Sequence, residues 1–444
     1  MPNSHTQTVN PSAHLQYGSA HAREITASDI AVGVVVGRTV SFFDLFVFGI
    51  ACVMVFPEVF FPFVNQTDGM FYSFAIFALG FIAQPFGSVF FMLVQRHFGR
   101  TTKLTIALFL LGSTTVGIAF LPSYASIGSA SIVVLTILRL GQGLAVGGSW
   151  NGLASLLAMK APRNHRGWYA SIPQLGAPIG FIVAAGLFAY IWSTLSHAEF
   201  IAWGWRYPFF TAFAVNVVAL FARLRLVVSP EYTVEFRQRD LVPSPVGELL
   251  RTQSKPVVLG ALAPLASYAL LNLVTIFTLS WALLFTEQSA ASFLLVQIVG
   301  ALIAIPCMLA SGWIADRLGR RITLGLFATL IAVYSGWTAV LLVGGRIESY
   351  LFIIIGFALL GFSHAQSSGV VTASFRPEFR YAGASISSDL SWLLGAGFAP
   401  IVALWLATHL AVGYVGLYLL SGAVCTLAAL WISRRLGGLP DNTI

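Results

Sequence analysis

Apolar stretches long enough to cross a bilayer recur along the chain, separated by short polar segments. About 20 helical residues span the hydrocarbon layer. Such stretches fall at 30–56, 71–93, 102–121, 131–158, 168–192 and 208–226, then at 257–284, 290–314, 322–343, 350–373, 382–408 and 411–432. One connector, 227–255, is longer and more polar than the rest, with Glu231, Glu235, Arg237, Arg239, Asp240, Glu248 and Arg251. The pattern predicts an all-α membrane protein of twelve transmembrane helices in two six-helix halves, 29–226 and 256–435. Tails at 1–28 and 436–444 and the 227–255 connector complete the organisation.

Composition agrees with lipid as the main solvent. Only 9% of the 444 residues are Asp, Glu, Lys or Arg, against roughly 25% in soluble domains. A chain so poor in charge cannot keep a water-facing surface. The net charge of +8 does not imply nucleic acid, because the basic residues sit in short clusters between apolar stretches. Counting loops alternately, 20 of the 24 Lys and Arg fall on one side, and only Arg206 and Arg346 fall in the opposite loops. The positive-inside rule then places both termini in the cytoplasm. The polar start of the chain has no basic n-region followed by an apolar run, so it reads as a cytoplasmic tail rather than a secretory signal. Cys52, Cys307 and Cys425 lie in apolar stretches, with neither metal-ligand spacing nor a disulfide pattern.

The halves echo each other. After the second helix of the first half the chain runs from Met92 to Gly99-Arg100, and after the second helix of the second half from Gly312 through Asp316 and Arg317 to Gly319-Arg320-Arg321. Gly-Arg stands at the same offset in both, as in a duplicated transporter.

The second-half loop fits G-x-x-x-D-R-x-G-R-R at every position, and Arg139, Gln142, Gly143 and Gly147 fit R-x-x-Q-G. Through these motifs the chain resembles the major facilitator superfamily. Within it, three stretches resemble the metabolite:proton symporters that include shikimate, citrate, α-ketoglutarate and proline/betaine carriers. They are Phe43-Asp44 with Gly49 and Phe56-Pro57, the segment from Leu138 to Trp150, and the segment from Arg376 to Pro400. The resemblance implies the major facilitator fold in a bacterial inner membrane, with the loop residues Gly99, Arg100, Asp316, Arg317, Gly319, Arg320 and Arg321 as a conformational gate. Three acids of the family pattern are replaced, by Ser41, Ser149 and Arg96, and His97 follows where an arginine is usual. These departures bear on proton coupling and not on the fold.

Ionisable and polar groups inside the apolar stretches are the candidate site. A charge at the bilayer centre costs about 3 kcal/mol on insertion scales, so Asp44 must be paired or neutralised for part of any cycle. Gly37, Ser41, Asp44 and Phe48 share one helix face, which reads as a cavity lining; the alternative is a structural Asp bonded to a neighbouring helix. Arg139 reads as a substrate anchor or as the partner of Asp44, since guanidinium binds carboxylate with two prongs. Arg38 is a second cation, which either faces the cavity or snorkels toward the cytoplasm. Asp389 either replaces the lost acids in coupling or pairs with Arg380 or Arg376. Asp44, Arg139 and Asp389 are thus the expected coupling set. Arg38, Ser41, Arg139, Gln142, Gln174, Asn272 and His364 are the expected solute contacts, with interhelical hydrogen bonds as the competing role for the last three.

The chain has neither a Walker-type glycine loop nor a metal-spaced cluster, and the twelve helices leave no room for a soluble catalytic domain. The reading is therefore a secondary transporter rather than an enzyme. Its expected partners are a small organic anion, protons and the bilayer, without cofactor or nucleic acid, and the expected state is a monomer. An exporter or antiporter on the same fold is the alternative, and a membrane-embedded enzyme or sensor is the reading from another class.

Overall fold

Helix α1 (Ala27–Met54) opens the bundle and is followed by a short turn of helix, Phe56–Phe60. The computed structural model describes residues 27–149, 157, 162–227, 243–367 and 375–435. The expected tails, the middle of the connector and the ends of the fourth and tenth stretches lie largely outside these. A single 55-residue helical run, Gln66–Phe120, is really two helices that meet at Gly99. We name them α2 (66–98) and α3 (100–120). Helices α4 (Ala130–Ser149), α5 (Arg166–Thr194) and α6 (Arg206–Val227) complete the first half.

The second half contains α7 (Ser254–Phe285), α8 (Ala290–Leu318), α9 (Arg320–Ser335 with Thr338–Val343), α10 (Arg346–His364), α11 (Arg380–His409) and α12 (Tyr414–Arg435). Among the described residues nine helical stretches are long and apolar enough to cross a membrane. The run divided at Gly99 supplies one more crossing. The other two are α6, which carries Arg206, Arg223 and Arg225, and α9, which is interrupted at Gly336 and Trp337. Twelve helices in two halves result, as the apolar pattern predicts. The connector is not all irregular, because Val246–Thr252 is helical.

The loop echo is also a backbone echo. Gly99 and Gly319 both have positive φ, +83° and +89°. That conformation suits a residue without Cβ, and it lets each helix pair reverse in one residue. We call the end of the bundle that carries these turns the basic face.

Glycines set the closest helix contacts. Gly80, Gly87, Gly143 and Gly147 place α2 and α4 backbone against backbone. Gly176 and Gly180 do the same for α5 on α1, where an added Cβ would lie 2.6 Å from the Arg38 Cβ or 2.8 Å from the Phe43 N. Without water exclusion to drive association, such van der Waals contact holds membrane helices together. Two helices of the second half carry a wide turn, Leu273–Phe277 in α7 and Trp392–Gly397 in α11. A π-turn leaves carbonyls in need of donors. The Gln297 amide of α8 donates to the Val274 and Thr275 carbonyls at 2.9 and 2.6 Å, and Asn272 donates to the Ala396 carbonyl at 2.7 Å.

The two halves meet along both ends. On the basic face, Gly167 and Gly312 bring α5 against α8. Toward the opposite face Gly49 of α1 packs on Ile276 of α7, and midway along the bundle Gly397 of α11 packs on Phe81 of α2.

Candidate functional site

A cavity lies where α1, α2 and α4 of the first half face α11 of the second. Its lining includes Arg38, Ser41, Phe42 and Asp44 from α1, Gly80, Phe81 and Gln84 from α2, Arg139, Gln142 and Val146 from α4, and Trp392 from α11. Helical spacing puts Ser41 and Asp44 on one face of α1, and spacing of three does the same for Arg139 and Gln142 on α4. The expected coupling and solute-binding residues Arg38, Ser41, Asp44, Arg139 and Gln142 therefore share one wall.

Asp44 is 4% exposed and is held by hydrogen bonds. Thr115 of α3 donates its hydroxyl to Asp44 Oδ1 at 2.7 Å, and Gln142 donates to Oδ2 at a weaker 3.5 Å. Gln142 also donates to Thr115 Oγ1 at 2.9 Å and accepts from Arg139 Nη1 at 3.1 Å. A direct Asp44–Arg139 ion pair is one of the sequence expectations, and the structure replaces it with this relay through Gln142. The reason is space. Gly80 leaves room for the guanidinium, where a Cβ would lie 2.5 Å from Arg139 Nε. Arg139 thereby reaches the Phe77 carbonyl with Nε and Nη2, at 3.3 and 3.2 Å. Its guanidinium also lies 4.1 Å from the Phe48 ring centroid and 4.9 Å from that of Phe77. Cation–π contact of this kind, shielded from water, is worth about 2 kcal/mol or more. Thr115 is the member of this cluster that sequence reasoning missed.

Asp389 is 2% exposed and meets the other half. Gln84 of α2 donates to its Oδ1 at 2.8 Å, whereas Oδ2 is buried without a hydrogen-bond partner among the described residues. Neither Arg376 nor Arg380 forms an ion pair with it among the described residues, so that expected pairing is replaced by the Gln84 contact. Asp389 thus joins the cavity through Gln84, which lines it.

Trp392 is the centre of an aromatic wall. It stacks on Tyr268 at 4.3 Å between centroids and on Phe81 at 6.3 Å, and lies 5.7 Å from Phe42. Behind this wall His364 touches Phe42, Tyr268 and Trp392 edge-on. It is fully buried, and among the described residues both its ring nitrogens lack a hydrogen-bond partner. Arg38 lies within electrostatic reach of Tyr268 and His364, and it faces the cavity rather than extending from the bundle. Asn272 and Gln174 are buried away from the cavity lining. Asn272 makes the α7–α11 bond described above, which is the competing role anticipated for it.

The residues expected to form the gate lie on the basic face. Asp316, at the end of α8, accepts from the backbone N–H of Gly167 at 2.6 Å and of Trp168 at 3.3 Å, at the start of α5. A carboxylate on the free N–H groups of a helix start is favoured by hydrogen bonding and by the helix dipole. Arg317 lies over the Trp313 ring at 3.7 Å. The corresponding first-half positions, Arg96 and His97, are exposed.

Comparison with known proteins agrees with this architecture. Residues 34–388 match the profile of the Major Facilitator Superfamily. The chain is 34% identical over 428 residues to the inner membrane metabolite transport protein YhjE of Escherichia coli K12, covering 94% of this chain and 97% of that one. It is 30% identical to the shikimate transporter of the same organism, over 90% of this chain and 92% of the other. A solved structure of the proton:xylose symporter XylE superposes with a TM-score of 0.69 at 17% identity, covering 92% of this chain and 95% of that chain. This multi-pass membrane protein is a transporter, and the chain belongs to the major facilitator superfamily.

Proposed function

We propose that the protein imports a small organic anion together with protons through the cavity between its halves, with both termini in the cytoplasm of a bacterial inner membrane. One observation carries this reading: two arginines and a buried carboxylate, Arg38, Arg139 and Asp44, line a single cavity between two repeat halves, with Asp389 one hydrogen bond away through Gln84. Buried ions at such a site are costly, and they mark ion and substrate pathways. Arg38 and Arg139 offer fixed positive charge to a carboxylate, Ser41 and Gln142 offer hydrogen bonds, and Trp392 and Phe42 offer apolar walls. Asp44 and Asp389 are the groups that take up and release protons. Likeness to a shikimate transporter and to proline/betaine transporters supports a carboxylated solute.

Alternating access follows from the two-half architecture. With the Asp316 contact made, α5 and α8 are held together on the basic face; its release lets the halves rock about the cavity. A specific observation favours a second reading, export or exchange without protons: Ser41, Ser149 and Arg96 stand where the family carries acids.

Purified protein in liposomes separates the two. Uptake of a radiolabelled organic acid, drawn from a panel of hydroxylated and aromatic monocarboxylates and betaines, should rise when the outside is acidified and collapse with a protonophore. Counterflow that ignores both treatments would instead establish the second reading.

A further inference from the structure

The two halves close the basic face with different chemistry. In the second half, Asp316 at the end of α8 binds the backbone N–H of Gly167 at the start of α5. Gly167 suits that close approach, since a Cβ there would lie 2.8 Å from Ala315 Cβ. The symmetric contact joins the end of α2 to the start of α11. By the register of the Gly99 and Gly319 turns, the acid's place is taken by Arg96, which is exposed and makes no hydrogen bond among the described residues. Gly167 is the second residue of a helix that follows a short 3-10 turn, and its counterpart in α11 is Tyr381. Acid and glycine are both gone from this side.

Three side chains fill the gap. Lys103 of α3 donates to the Tyr381 hydroxyl at 2.9 Å and to Gln95 Oε1 at 3.2 Å, and the Tyr381 hydroxyl donates to Gln95 Oε1 at 3.1 Å. Lys103 is 2% exposed and Tyr381 4%. Burying an ammonium is expensive unless it is well bonded, and here the bonds reach across the boundary between the halves. One turn deeper, Ser385 of α11 meets Ser88 of α2 at 3.5 Å. Lys103 also lies within electrostatic reach of Asp389, on the same helix as Tyr381.

We infer that Gln95, Lys103 and Tyr381 are the first half's latch on the basic face, a cation–phenol–amide triad that takes over from the absent helix-capping acid. The inference rests on the transporter reading only in assigning the latch to a transport cycle; the contact itself is tested without solute. Gating in this chain is then asymmetric, with a backbone-directed carboxylate on one side of the pseudo-twofold axis and a side-chain triad on the other.

The test uses the full chain in lipid nanodiscs, with Cys52, Cys307 and Cys425 replaced by alanine and a single reporter, Ser385→Cys, beneath the triad. Labelling by a water-soluble maleimide reports opening of the α2–α11 seam. Tyr381→Phe and Lys103→Met should each raise the labelling rate at least roughly tenfold, because each removes two hydrogen bonds of the triad, at least one of them to a charged group. The double variant should add little to either, because the two side chains act as one latch. A control reporter, Ile276→Cys, packed on Gly49 toward the opposite face, should not speed up. If Lys103→Met does not fold, Tyr381→Phe alone carries the test. Unchanged Ser385→Cys labelling, or an equal rise at Ile276→Cys, would overturn the inference.

Discussion

Replacing Thr115 by valine removes one hydroxyl and keeps the shape of the side chain. That hydroxyl does two things: it donates to Asp44 Oδ1 at 2.7 Å and accepts from Gln142 Nε2 at 2.9 Å. Thr115, Gln142 and Asp44 are 0%, 1% and 4% exposed, so bulk water cannot supply the missing partner. A hydrogen bond to a charged group contributes about 1.5–3 kcal/mol and a neutral one about 0.5–1.5 kcal/mol. Some of this is regained if Gln142 closes its 3.5 Å contact with Asp44. Thr115→Val should therefore destabilise the protein by about 2–3 kcal/mol, whereas Thr115→Ser, which keeps the hydroxyl, should stay within about 1 kcal/mol of the native protein. Titration with SDS in mixed micelles, followed by tryptophan fluorescence, measures the difference. If valine and serine at this position prove equally stable, Asp44 is not held by Thr115 and the relay built on that bond fails.

Two further substitutions probe the gate and the cation. Asp316→Asn weakens the contact to the Gly167 and Trp168 amides; it should slow transport while leaving half-saturating solute concentration nearly unchanged, as read from initial uptake rates over a concentration series. Arg139→Lys keeps the charge but loses the fork that serves the Phe77 carbonyl and Gln142 together; solute affinity in equilibrium binding should fall by about 1.5–3 kcal/mol, and an unchanged affinity would make Arg139 a purely structural residue.

The helices were legible in the sequence because each must carry its own apolar run across the bilayer, and the loop charges and the Gly-Arg repeat divide them into halves. The cavity wall was legible in part for the same reason. An ion such as Asp44, Arg139 or Asp389 stands out against an apolar run, and residues on one helix face can be grouped by spacing. What could not be read is which helices meet. Thr115 lies 71 residues from Asp44 and Tyr381 lies 278 from Lys103, and a lone threonine or tyrosine in an apolar helix has no local mark of a partner. The relay through Gln142 was hidden for a related reason. It depends on Gly80 leaving space for Arg139 to turn toward the Phe77 carbonyl, and that contact between α2 and α4 appears only when the helices pack. The wide turn of α7 has no breaker residue and is met by a neighbour, Gln297, that takes up its carbonyls; that of α11 precedes Pro400, whose missing N–H frees the Ala396 carbonyl for Asn272.

Proton coupling through Asp44 is the central claim, and Asp44→Asn in proteoliposomes tests it most directly. The asparagine keeps the size of the side chain and can still bond Thr115 or Gln142, but it can neither bind nor release a proton. Each conformation of a coupled carrier must prefer a different protonation state for proton and solute movement to be linked. With an imposed inward pH gradient, the native protein should concentrate the transported acid inside the vesicles. Asp44→Asn should lose this accumulation and still exchange labelled for unlabelled solute when no gradient is present. If Asp44→Asn concentrates solute as well as the native protein does, the proton passes elsewhere, and the role given to Asp44 is wrong.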